Sequence, residues 1–124
     1  MNTANISNHA ANLVAAALSP EVPDERTYVD TRDSTILPQA LVYVEGAGAS
    51  GSVMYSGTLV VHVWGRSFYT ASMLADRVPG ALVDDHTLGD GRVYRVLRGG
   101  MTYLREPDAA HFTWRFPLKY DAPA

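Results

Sequence analysis

Residues 58–82, TLVVHVWGRSFYTASMLADRVPGAL, decide the fold because their hydrophobic period changes partway along. Up to Gly65 the side chains alternate between two faces, as in a β-strand. Beyond Gly65 the apolar residues recur every three or four positions, as on one stripe of a helix. These apolar positions are Phe68, Ala71, Leu74, Ala75 and Val78. The segment predicts a long strand leading into a helix, with apolar faces that the rest of the chain must cover.

Both ends of this helix carry local signals. Ser67 is the expected N-cap, because its hydroxyl can accept a hydrogen bond from a backbone N–H that has no partner within the helix. Pro79 and Gly80 are expected to end the helix, since proline has no N–H to donate and glycine tolerates the turn beyond it.

The composition is that of one globular domain. The chain has 124 residues, 47% of them hydrophobic and 19% charged, which is enough for one core. We therefore expect residues 1–124 to form a single domain. Ten basic and thirteen acidic residues give a net charge of −3, which does not indicate attraction to nucleic acid by overall charge.

Several chemistries and locations are excluded or disfavoured. The chain has no cysteine, which excludes disulfides, thiolate metal sites and a cysteine nucleophile. Its longest apolar run, residues 59–64, is far shorter than a membrane span. The first 18 residues lack the Lys or Arg that starts a signal peptide. We expect a soluble protein that is folded in the cytoplasm and makes no membrane contact.

The remaining elements follow from the same patterns. Residues 5–18 predict a helix that ends at Ser19-Pro20. An extended connector follows over 19–39, in which 27–29 could form a short strand. Four further segments are predicted strands, at residues 40–45, 92–98, 101–105 and 112–120.

The connections between the later strands have turn chemistry. Residues 83–91 predict a loop with a turn at Asp90-Gly91, and Gly99-Gly100 predicts a break or a hairpin turn. Pro117 lies inside the last predicted strand, which suggests an edge position where its missing N–H has no neighbour. Residues 121–124 are expected to be frayed.

This order of elements predicts an α+β fold. The economical arrangement is a two-layer sandwich, with a mostly antiparallel sheet of four to five strands and two helices packed on one face.

The segment 46–53, GAGASGSV, is expected to be a mobile loop between two strands, since glycine and serine bury little. A phosphate-binding loop is the alternative. The segment lacks the lysine of a P-loop and the GxGxxG spacing, and a strand follows it instead of a helix.

Candidate catalytic and metal-binding residues are few. The histidines, His9, His62, His86 and His111, have no metal-site spacing. His62 shares a strand face with Trp64, which predicts a packed, half-buried ring. The group of Asp84, Asp85, His86 and Asp90 could hold a divalent cation, although the same residues are typical of a solvated turn. No serine stands in a GxSxG motif. We expect no enzyme activity, no cofactor and no metal.

The basic residues of the late strands are interleaved with Tyr94 and Tyr103. They are Arg92, Arg95, Arg98, Arg105, Arg115 and Lys119. Three interpretations stay open: a solvated face, an interface with an acidic protein surface, or a nucleic-acid contact.

With these elements placed, the chain resembles the tail terminator (tail completion, or minor tail) proteins of long-tailed bacteriophages. The resemblance spans nearly the full length. It comprises an N-terminal helix, a proline-containing connector, VHVWG, the serine-started helix SFYTASMLADRVPGAL, an Asp/Gly loop, VYRVLRGG and HFTWRFPLKY.

The resemblance implies a structural virion protein. Such proteins form a ring, commonly hexameric, that caps the tail tube, ends its growth and offers the surface that joins the head. It implies as partners further copies of the chain, the tail tube protein and head–tail connector proteins. It also implies assembly in the host cytoplasm and a place at the head-proximal end of the tail.

A ring closes by rotation, so two different patches of each copy should meet. The arginine-bearing strands and the acidic 84–90 loop are candidates for these patches, and the Gly/Ser loop is a candidate for ordering on the tube. The candidate interface residues are Gly48, Ser50, Gly51, Arg66, Asp84, Asp85, Arg95, Arg98, Tyr103 and Arg105.

Three alternatives remain. A head–tail connector or another tail-joining protein would have a similar build. A small nucleic-acid-binding module would use the late arginines, although the balanced charge weighs against direct binding. A small enzyme or ligand-binding domain would use His62 or the Asp84–His86 group.

Overall fold

A computed structural model describes residues 3–32, 35–49 and 54–121 of the chain. In order, its elements are α1 (Ala4–Leu18), a 3-10 turn (Asp24–Arg26), β1 (Thr27–Val29), β2 (Gln39–Ala49), β3 (Met54–Gly65), α2 (Phe68–Ala75), α3 (Val78–Leu82), β4 (Asp84–Thr87), β5 (Val93–Val96), β6 (Gly100–Glu106) and β7 (Ala109–Asp121).

All seven strands belong to one sheet, in the order β1-β2-β3-β7-β5-β4, with β6 also paired to β7. The β1–β2 pair is parallel and the other pairs are antiparallel. One side of β7 pairs with β3, while its other side pairs with β6 in the first half and with β5 in the second. Strands β5 and β6 therefore lie end to end along β7.

The sheet has two different faces. The helix face carries the apolar residues of alternate strand positions, and these form one buried cluster with α1, α2 and α3. Trp114 lies on this face and donates from Nε1 to the carbonyl of Ala75 in α2, at 2.8 Å. The outer face carries the intervening positions, including Tyr43, His62 and Thr113.

The strand-to-helix joint forms as the sequence predicts at its start. The hydroxyl of Ser67 accepts from the N–H of Thr70, so Ser67 is the N-cap. At Gly65, a Cβ would lie 3.0 Å from Ala71. Because glycine has no Cβ, α2 can pack closely against the end of β3 at this point.

The predicted end of this helix is wrong by one turn. α2 ends at Ala75, and Pro79 and Gly80 lie inside the short helix α3. Pro79 is in the first turn of α3, where its missing N–H costs no helix bond. Proline therefore helps to start a helix here instead of ending one.

The α+β class and the helices on one face are confirmed, but the sheet is larger and more mixed than predicted. It has seven strands instead of four to five, and β1 is parallel to β2. β4 was missed because residues 84–87, DDHT, have no buried alternation. This strand is held by backbone hydrogen bonds to β5. Backbone hydrogen bonds do not require apolar side chains, so the sequence of β4 shows no hydrophobic alternation.

Pro117 does not lie on an edge strand. β7 is paired on both sides, and the carbonyl of Pro117 accepts from the N–H of Leu97 at 2.9 Å. A β residue directs its N–H and its carbonyl to the same side. The missing N–H therefore faces the gap between β5 and β6, where no ladder bond is lost.

The predicted loop at 46–53 is partly strand. β2 continues to Ala49, with a register shift between Glu45 and Gly48, and Gly46 takes a φ of 64°. Glycine suits this bulge because it adopts positive φ without steric cost. Residues 50–53 of the predicted loop and 122–124 of the predicted frayed tail lie outside the described residues, whereas Asp121 is the last residue of β7.

Candidate functional site

Two of the scattered histidines meet on the outer face. β3 and β7 pair in a register that sets His62 opposite Thr113 and Trp64 opposite His111. Nδ1 of His62 consequently lies 2.7 Å from Nε2 of His111. The hydroxyl of Thr113 lies within 3.2 Å of both nitrogens.

The pair belongs to a chain of polar groups that crosses the sheet. The hydroxyl of Tyr43 lies 2.9 Å from Nε2 of His62, and Nδ1 of His111 lies 3.0 Å from a carboxylate oxygen of Glu106. The carboxylate favours a proton on Nδ1 of His111, which leaves its Nε2 to accept from His62. Nε2 of His62 is then free to accept from Tyr43. This assignment uses neutral imidazoles throughout.

Burial keeps both rings neutral. Desolvation and the neighbouring His111 lower the pKa of His62 to about 4. Burial also lowers the pKa of His111, although Glu106 opposes this by attraction. Two protonated rings would direct N–H groups at each other across 2.7 Å. The geometry therefore holds a neutral, hydrogen-bonded pair.

Aromatic stacking covers this pair. The ring of Trp64 stacks on His111, with centroids 4.4 Å apart, and on His62 at 5.3 Å. Arg32 lies 4.0 Å above Trp64, and Trp64 donates to Glu106 at 3.0 Å. The half-buried, packed His62 that the sequence predicts is confirmed. Its pairing with His111 was missed, because only the β3–β7 register brings the two residues together.

The candidate cation ligands near residues 84–90 are directed to other partners. Asp85 forms an ion pair with Arg95 at 2.7 Å, and Asp90 pairs with Arg92 at 2.8 Å. Nε2 of His86 lies 2.7 Å from the carbonyl of Leu82. Across residues 3–32, 35–49 and 54–121, no group of three or more His, Asp or Glu side chains has the geometry to hold a metal ion.

The late basic residues do not form one basic face. Arg92 and Arg95 are paired as above, and Arg115 lies 3.5 Å from Glu45. Arg95 and Arg115 occupy the outer face, whereas Arg105 lies in register with Ala110 on the helix face. Asp85 and Arg95, which the sequence offers as members of two different patches, pair with each other within one subunit.

Three of the candidate interface residues do come together. Arg66, Tyr103 and Arg105 line one concavity of about 620 Å³ beside the end of β6. Arg98 is exposed between β5 and β6, Asp84 is exposed at the start of β4, and Gly48 lies in β2. Ser50 and Gly51 lie outside the described residues.

Large apolar side chains are exposed on β6 and on the first turn of α2, and we call this set the β6 surface. Its members are Phe68, Tyr69, Met101, Tyr103 and Leu104. Tyr69 is 75% exposed and Leu104 is 59% exposed, while Phe68 packs edge-on against Tyr103 at 5.1 Å. Of these residues, the sequence offered only Tyr103 as an interface candidate. It placed Phe68 on the apolar stripe of the helix, and that assignment is wrong, because Phe68 is 57% exposed.

β6 is unusual in that six of its seven residues are exposed, on both faces of the strand. A long apolar strand at a sheet edge offers unpaired backbone groups for another chain to join. Met101 and Tyr103 lie on the helix face, whereas Leu104 lies on the outer face in register with His111. Large apolar side chains exposed on an edge strand are typical of an interaction site. No helix of the described residues is both long and apolar enough to cross a membrane.

Comparisons with known proteins identify the fold. No protein-family model and no curated protein matches the sequence. Among solved structures, a chain from the virion of a native gene transfer agent particle matches with a TM-score of 0.60 and 17% identity, over 95% of this chain and 94% of that one. A second solved structure matches with a TM-score of 0.65 and 14% identity, over 98% of this chain and 94% of that one. The chain therefore has a fold that also occurs in the virion of a gene transfer agent particle.

Proposed function

We propose that the protein is a structural subunit of a phage-like virion, and that it forms a ring on the end of the tail tube. The ring ends tube growth and offers the surface that joins the head. The observation that carries this proposal is the full-length fold match to a chain of a gene transfer agent virion. The resemblance of the sequence to tail terminator proteins supports a position at the end of the tail.

The surface of the subunit supports a binding role. The β6 surface exposes large apolar side chains beside Arg66 and Arg105, a composition that suits the centre of a protein interface. The polar cluster around His62 and His111 is covered by stacking with Trp64. We propose accordingly that the protein acts by docking and not by catalysis.

Tail assembly with and without the protein tests this role. Tails assembled without it should have tubes of uncontrolled length and should fail to join heads, and adding the purified protein should restore a single length. Tails of normal length in its absence would contradict a terminator. Normal tails together with unjoined, filled heads would instead identify a head–tail connector.

Ring formation is tested separately. Size-exclusion chromatography with light scattering, on the protein alone and after mixing with tail tubes, should give a closed oligomer in at least one condition. Electron microscopy of gold-labelled protein should place it at one end of each tube. Label along the whole tube would contradict the proposed position.

A further inference from the structure

The two edges of the sheet lie at the same height. Following the strand register across the sheet joins Tyr28 of β1 to Leu41, His62, Thr113 and finally Thr102 of β6. A copy placed beside this one without any shift along the strands would therefore bring β1 next to β6. A head-to-tail pairing of this kind forms a closed ring when the rotation between neighbouring copies closes.

The two edges of the sheet also have complementary outlines: one projects where the other is recessed. β1 pairs only with residues 40–42 of β2, so it projects by one strand at this height. Among the described strands, β6 pairs only with β7, while β4 extends one strand further out beside β5. The edge that carries β6 is therefore recessed where the opposite edge projects, and β1 of a second copy would fill the recess.

The backbone of β6 faces this recess. Leu97 donates to the carbonyl of Pro117, so every second residue of β7, including Thr113, directs its backbone toward β6. Thr102, the register partner of Thr113, is thus bonded to β7. The neighbouring residues Met101 and Tyr103 direct their N–H and carbonyl groups outward.

The backbone of β1 offers the complementary groups. Asp30 donates to the carbonyl of Val42 in β2, so Thr27 and Val29 face outward by alternation. The N–H of Thr27 is bonded to the carbonyl of Asp24, and the carbonyl of Val29 accepts from Thr31. The carbonyl of Thr27 and the N–H of Val29 have no backbone partner in the described parts of the chain, and they flank Tyr28.

We propose that β6 of one copy pairs antiparallel with β1 of the next copy, with Thr102 opposite Tyr28, so that one sheet continues around the ring. Tyr103 then donates to the carbonyl of Thr27, and Val29 donates to the carbonyl of Met101. The proposed function supplies the identity of the partner, a second copy, and the register follows from the hydrogen bonds of the subunit.

Charge supports the same pairing. Arg105 follows Tyr103 by two residues, and Glu25 precedes Thr27 by two residues. The antiparallel arrangement brings these two positions to the same end of the new strand pair. Arg105 and Glu25 are exposed, and neither forms an ion pair within the part of the chain that the structure describes. Opposite charges at matching positions favour one partner orientation.

Disulfide trapping tests the pairing, because the natural chain has no cysteine. The double variant Tyr28→Cys/Thr102→Cys places both thiols at a non-hydrogen-bonded cross-strand position, with Cα atoms about 4.5 Å apart, which suits a disulfide. Within one subunit, β1 and β6 are four strand spacings apart, or about 19 Å. Any disulfide must therefore join two copies.

The oxidised double variant should run on a non-reducing gel as a ladder that ends at the closed ring, and reduction should collapse the ladder to the monomer. The matched control Tyr28→Cys/Leu104→Cys, displaced by two residues, should give at least tenfold less cross-linking. Wild-type-sized rings without the cross-link, or more cross-linking in the displaced control, would overturn the pairing and leave the tail function standing. Cross-linked rings that do not locate to tail ends would overturn the tail function alone. Absence of any oligomer, with or without tail tubes, would overturn both.

Discussion

Nδ1 of His62 lies 2.7 Å from Nε2 of His111, and this distance permits only one proton between the two rings. Burial and the neighbouring ring lower the pKa of His62 to about 4 in the folded protein. In the unfolded chain a histidine has a pKa of about 6.5. The unfolded state therefore binds the proton first as the pH falls.

Stability should decrease as the pH falls from about 6.5 to about 4. The contribution of the neutral His62 ring to the free energy of unfolding is fully present above pH 6.5 and is lost by pH 4. We expect a loss of roughly 2 kcal/mol, because the ring is partly exposed and solvent screens part of the effect. Urea unfolding at pH 7, 5.5 and 4 measures it. The variant His62→Gln keeps a donor and an acceptor without titrating, and it should show a smaller decrease. Equal pH dependence in the two proteins would contradict the assignment.

Tyr103→Pro should leave the subunit folded and abolish ring assembly. The N–H of Tyr103 faces outward, so proline removes only the bond that the next copy would accept, and edge positions of this kind tolerate proline. Light scattering reports assembly and circular dichroism reports the fold.

Two controls accompany this variant. Tyr103→Ala removes the ring and keeps the N–H, so it separates the loss of aromatic packing from the loss of the bond. Leu104→Pro removes an N–H that faces β7 and should destabilise the subunit by about 1 kcal/mol or more, because a ladder hydrogen bond is lost. Normal rings from Tyr103→Pro would show that the β6 edge is not used.

Charge reversal at Arg105 should weaken assembly. Arg105→Glu sets a carboxylate against Glu25 of the next copy, and like charges at an interface are repulsive. Adding Glu25→Arg should restore assembly, with the strongest effects at low salt. The dissociation constant of the ring subunits, measured by sedimentation at two salt concentrations, checks this. Arg95→Glu is the matched control, since Arg95 pairs with Asp85 within its own subunit; an equal effect there would indicate a nonspecific role of charge.

Gly99→Ala should destabilise the fold by about 2 kcal/mol or more, because an added Cβ would lie 1.8 Å from the backbone carbonyl of Arg115. Gly100→Ala is the matched control, since a Cβ there meets nothing within 4 Å. Thermal unfolding of the two variants compares them directly. A similar midpoint for both would mean that the chain between β5 and β6 does not pass this close to β7.

The elements with strong periodicity could be predicted from the sequence. α1, β3 and the cap at Ser67 follow from local apolar spacing and a single hydroxyl, and these signals depend on near neighbours in the chain. The packed state of His62 also follows from its alternation with buried neighbours. The exposed β4 was not predictable in this way, because backbone pairing with β5 holds it in place.

The sequence by itself determined an α+β domain in which a long strand runs into a capped helix, since these features depend on short-range periodicity. Only the tertiary structure decided that His62 meets His111, that Asp85 and Arg95 pair within one subunit, and that Thr102 and Tyr28 lie at the same height on opposite edges. Each of these relationships depends on strand register. Register depends on which face of each strand is buried and on the turns that connect the strands, so residues far apart in the chain decide it together.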